Sequence, residues 1–130
     1  MAGRIQAIEL QCGDAIAAGT CSATSNTPIT GLIHAIRVVY EASSAATTDV
    51  AITEDENGTT RQTFLTLTNA NTTGNWYPRV QVCGATGTGL TMDGTRTLMD
   101  KFVVNANLKA SVTGQTEGKS VTVTVFVEMF

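Results

Sequence analysis

Histidine is nearly absent from this chain, with one residue in 130, and proline occurs only twice. Charged residues make up 15%, where about a quarter is usual in a soluble domain. One histidine cannot build a histidine-based metal site. The three cysteines, Cys12, Cys21 and Cys83, show no CxxC spacing, which argues against structural zinc, and no cofactor is expected. A net charge of -3 and a pI near 4.9 provide no basic stripe to neutralise phosphates, so no nucleic-acid partner is expected. No run approaches the roughly 18 apolar residues of a membrane span. Even residues 31–40 are interrupted by His34 and Arg37, so no membrane partner is expected. The first ten residues contain Arg4 and Glu9 but no apolar segment. They do not read as a signal peptide, and synthesis in a cytoplasm is the expectation.

Apolar residues reach 42%, enough for a core at this length, and there are 23 Thr, 12 Val and 12 Gly. Thr and Val are stiff at χ1 and suit a pleated strand, so the composition reads as all-β. Short β-type runs alternate with Gly, Asn, Ser and Thr clusters along the whole chain. Residues 4–11 read as a first strand, and the small, polar residues 12–28 as a long loop or arm. Residues 32–41 are apolar on both faces apart from His34 and Arg37, as expected of a central strand. Residues 49–54 and 61–68 flank Asn57-Gly58, a pair that favours the positive φ of a type I′ hairpin turn. In the second arm Leu65 and Leu67 mark one face and Phe64 the other. Residues 76–83 read as a strand whose Pro78 lies at an edge, a start or a bulge. Four glycines in residues 84–94 mark a flexible loop. Residues 98–104, 107–113 and 120–129 read as three further strands, the last with Val121, Val123, Val125 and Val127 on one face. About eight antiparallel strands give a sandwich, jelly roll or small barrel, divided as an N-terminal strand and arm (1–28) and a β-sandwich domain (29–130). With few Lys or Pro to blunt its edge strands, such a fold points to cover by another subunit or surface.

Three cysteines leave one unpaired in any scheme. Cys12 and Cys21 can close a short loop by a disulfide, but three thiols serving as small hydrophobes are the preferred reading. Asn57-Gly-Thr59 and Asn71-Thr-Thr73 match the glycosylation sequon and are read as turn residues.

Few residue groupings suggest chemistry. His34 sits inside a strand expected to be buried, where a hydrogen-bonded histidine is favoured over a general base. There is no GxSxG, and a Cys83–His34 pair has no supporting pattern. Glu54-Asp-Glu56 offers oxygens for calcium, but lacks a calcium-loop spacing and is read as a solvated turn. Residues 84–89 lack the GK[ST] ending of a phosphate loop. No catalytic residue is assigned, and the chain is not expected to be an enzyme. Trp76-Tyr77-Pro78-Arg79 gathers residue types that anchor interfaces and that equally plug sandwich ends. Residues 126–130 finish on Met129 and Phe130, an apolar end that suits a covering partner.

Gly31-Leu-Ile-His-Ala-Ile-Arg-Val-Val-Tyr40, Thr47-Thr-Asp-Val-Ala-Ile-Thr53, Trp76-Tyr-Pro-Arg-Val-Gln-Val82, Leu108-Lys-Ala-Ser-Val112 and Ser120-Val-Thr-Val-Thr-Val-Phe-Val-Glu128 resemble small structural proteins of tailed bacteriophages. The resemblance covers roughly residues 31–129 and carries no site motif. It implies a decoration, or cement, protein on the outside of an expanded capsid, assembled in the host cytoplasm. The implied partners are the major capsid protein and further copies of the chain, commonly as a homotrimer. The residues expected to meet a partner are Arg4, Ile5, Trp76, Tyr77, Arg79 and Phe130. The alternatives are another virion component (tail, connector or head-fibre subunit) and a carbohydrate-binding module, the latter disfavoured by a single Trp.

Overall fold

Valine and threonine alternate from Val121 to Val125, and a period of two places one set of side chains on each face of a strand. The computed structural model describes residues 4–16, 19–91 and 94–129. The strands are β1 (Arg4–Cys12), β2 (Cys21–Thr24), β3 (Ile29–Tyr40), β4 (Asp49–Glu56), β5 (Thr59–Leu67), β6 (Gly74–Trp76), β7 (Val80–Gln81), β8 (Met99–Asp100), β9 (Val103–Thr113) and β10 (Val121–Met129). No helix occurs among the described residues. The chain is an antiparallel, all-β, sandwich-like domain and not a closed barrel.

Eight strands follow the order β1-β10-β3-β9-β4-β5, with β2 added on β9 and β6 on β3. Strand β9 joins the two layers. Its start, Val103–Ala106, pairs with the start of β3, and its remainder pairs with β4 on one side and β2 on the other. One layer is therefore β1, β10, β3 and β6; the other is β2, β9, β4 and β5. Their facing sides form the core, with Val121, Val123, Val125 and Val127 from β10 against Val104, Leu108 and Val112 from β9. Among the described strands β7 and β8 pair only with each other, within an excursion between β6 and β9.

Strand β3 does not alternate uniformly. Ile29, Gly31 and Ile33 are buried, and then Ile36, Val38 and Tyr40, because the register with β10 shifts between Phe126 and Val127. Ala35 faces Phe126 and Ile33 faces Val127, so His34 is the extra residue of a bulge. That slip in phase is why the sequence looks apolar on both faces. Gly31 is needed where β10 comes closest, since a Cβ there would lie 2.5 Å from the Glu128 carbonyl oxygen. The Asn57-Gly58 turn is as expected, with φ of 52° and 82°.

Three segments differ from expectation. Residues 76–83 are not one strand; Pro78, with no N–H for a ladder, lies in the break between β6 and β7. Residues 98–104 and 107–113 are not two strands separated by asparagines. They divide into β8 and one continuous β9, because the asparagines are paired sideways. Asn105 Oδ1 accepts from the Thr30 hydroxyl (2.8 Å), and Asn107 Nδ2 donates to the Ser25 carbonyl (2.7 Å). Residues 12–28 are not throughout a long loop or arm: Cys12 ends β1, and β2 pairs with β9 from Cys21 to Thr24. The preferred reading of three thiols is also corrected. Cys12 and Cys21 form a disulfide with Cα atoms 5.8 Å apart, within the usual range, and Cys83 remains as an exposed thiol.

Candidate partner-binding surface

With the core on one side of the β1-β10-β3 layer, the register defines what its other side presents. Four rows run across the three strands: Ile5-Glu128-Leu32, Ala7-Phe126-Ala35, Glu9-Thr124-Arg37 and Gln11-Thr122-Val39. Ile5 is 49% exposed and Val39 40%, and Leu32 and Phe126 are half-buried. From the strand spacing and rise, this face measures about 10 Å by about 20 Å. That is well under the roughly 800 Å2 per side of a stable protein interface, so adjoining surface must take part in any lasting contact.

The sequence-selected residues lie around this layer. Arg4 and Ile5 begin β1, both exposed, and Arg4 pairs with Met129. Phe130, the residue after Met129, lies outside the described residues. Trp76 is at the opposite margin, on β6 beside Ile36 of β3. Its ring lies over Gly74 and it packs half-buried against the core, so it covers the margin of the core beside β3. Tyr77, the next residue, is 61% exposed. The structure therefore sets Arg4 and Ile5 beside the end of β10, and Trp76 and Tyr77 across the layer from them, with the four rows between.

Arg79 has a role that its residue type did not signal. Its Nη1 donates to the Pro78 carbonyl (2.8 Å) and to the carbonyl of the bulged His34 (3.2 Å). It thus braces the excursion against the bulge, and it is the bulge that makes a carbonyl available. Nearby, Lys101 Nζ donates to Glu128 Oε2 at 2.8 Å. That hydrogen bond, and the lysine charge behind it, hold the Glu128 carboxyl below its usual range.

Glu54, read as part of a solvated turn, is buried instead. Its carboxylate accepts from the Asn105 backbone N–H (2.6 Å) and from Gln62 Nε2 (3.2 Å), joining β4, β5 and β9. No group of three or more His, Cys, Asp or Glu is arranged to hold a metal ion among the described residues. Comparison of the chain with known protein families, with curated proteins and with solved structures finds no match.

Proposed function

We propose that the chain is a structural protein of a tailed-phage particle that binds the outside of the capsid and stabilises the expanded head. The observation that supports this most is the outer face of the β1-β10-β3 layer. It carries Ile5, Leu32, Phe126 and Val39 in a sheet whose edge strand β1 pairs only with β10 among the described strands. A sheet that exposes large apolar side chains among polar ones on its outer face, and that has a long free edge, is suited to contact with another subunit. The resemblance of residues 31–129 to phage structural proteins gives that subunit a class, the major capsid protein. A bound copy that bridges capsomers adds its contacts only to the closed shell, so mass action favours the intact particle.

The test is to mix the purified chain with expanded heads that lack it, and to measure co-sedimentation and the temperature of heat-induced DNA release. Saturable binding with a raised release temperature is expected, weakened by Ile5→Lys and by Tyr77→Ala. Heads that neither retain the chain nor gain heat resistance would refute the proposal.

A further inference from the structure

The disulfide sits where the edges of the two layers meet, and beyond it those edges separate. Strand β1 runs towards Cys12 and β2 runs away from Cys21, leaving between them an open groove of about 530 Å3. Residues 6–11 line one wall without a gap and residues 22–27 the other, with Ile29 also contributing. Consecutive residues, inward and outward alike, line a wall only when that wall is the edge of a strand, because a sheet face would present every second one. Among the described strands β1 pairs only with β10 and β2 only with β9, so β1 and residues 22–24 offer free strand edges, whereas the Ser25 N–H already donates to the Leu108 carbonyl and the Ser25 and Thr27 carbonyls accept from side chains. From this we infer that the β1–β2 groove is an acceptor for an extended, uncharged strand of a different protein chain, held by strand addition.

Charge decides the occupant. Leu10 and Cys12 are buried, so the even-numbered side chains of β1 point inward, and Glu9 points to the outer face with Ile5 and Ala7. Among the described residues Glu9 is the only charged one lining the groove, and it faces away. A charged side chain entering would therefore lose hydration with no opposite charge to meet it. Small uncharged side chains such as threonine and valine match it instead, because Leu10 and Ile29 are buried and the groove presents mostly the uncharged polar groups of Gln6, Ser22, Thr24 and Asn26 beside Ile8 and Ala23. Residues 6–11 offer about 17 Å of edge, room for roughly five residues of partner strand. A second copy fits less well. Two β1 strands paired about a two-fold axis oppose residues of the same face, and Arg4 and Glu9 lie on opposite faces, so they cannot pair. This inference does not depend on the particle to which the chain belongs.

The probe is a fluorophore-labelled peptide of about eight residues alternating threonine with valine, acetylated and amidated, beside the same peptide with lysine for valine. Saturable anisotropy is expected for the first peptide only, with slowed amide exchange at residues 4–11 and 22–24. Gln6→Lys and Ile8→Lys, which place a charge inside the groove, are expected to weaken binding by about tenfold or more. Gln11→Lys, on the outer face, is expected to leave it within about twofold. No binding of the uncharged peptide, equal binding of the lysine peptide, or protection at β5 instead would overturn the inference. So would concentration-dependent dimerisation that protects β1, which would give the groove to a second copy.

Discussion

Reducing the Cys12–Cys21 bridge is expected to cost the protein a measurable part of its stability, and the amount follows from the loop. With a sequence separation of 9, the cross-link removes about 8.7 cal/mol/K of chain entropy from the unfolded state, or about 2.6 kcal/mol at 25 °C. At about 2.1 cal/mol/K per residue, a chain of 130 residues unfolds with an entropy near 270 cal/mol/K, so Tm should fall by about 9 °C. Reduction is a cleaner perturbation than substitution because it keeps both sulfurs in place, and Cys12 is fully buried. A Cys83→Ser background removes the exposed thiol that would otherwise exchange with the bridge. Calorimetry with and without a reductant gives the shift. Thiol titration in denaturant should find one free thiol per unreduced wild-type chain. Three thiols, or a Tm that moves by less than about 2 °C once the bridge is open, would refute this reasoning.

Further outcomes follow from single positions. Gly31→Ala would set a Cβ 2.5 Å from the Glu128 carbonyl oxygen and 2.7 Å from Val127 Cγ1, so denaturant melts should show a loss of about 1–3 kcal/mol. Tyr40 keeps its hydroxyl buried with no protein hydrogen-bond partner, so Tyr40→Phe should be neutral or stabilising by up to about 1 kcal/mol in the same melts. Because the Glu128 pKa is lowered on folding, its contribution to stability is present above the unfolded value and lost as pH falls through the folded one. Carboxyl NMR titration should therefore place Glu128 below 4.5, and Lys101→Ala should move it upward towards that value.

What was legible in the sequence was whatever a local period or turn residue encodes. The valines of β10 and the Asn57-Gly58 hairpin follow from side-chain alternation and from the positive φ that a type I′ turn requires. Features that depend on lateral pairing were not legible. Strand β2 is only four residues of small polar type, and it becomes a strand because β9 offers it an edge. Its docking is also what brings Cys21 to Cys12. The bulge at His34 arises from a register shift against β10, which no property of residues 31–40 announces. Arg79 looked like an interface residue by type, whereas the position of the bulged carbonyl gives it an internal partner. The outer face itself was partly legible, since Ile5 stood out, but its neighbours Leu32, Phe126 and Val39 are assembled only by the register.

The central claim is that this chain covers a capsid, and its copy number tests that most directly. Quantitative mass spectrometry of purified particles, from the genome that encodes the chain, gives its ratio to the major capsid protein. A ratio near one, or a fixed simple fraction of one, is the predicted result. A few copies per particle would place it at a tail or neck, and its absence from the particle would contradict the account.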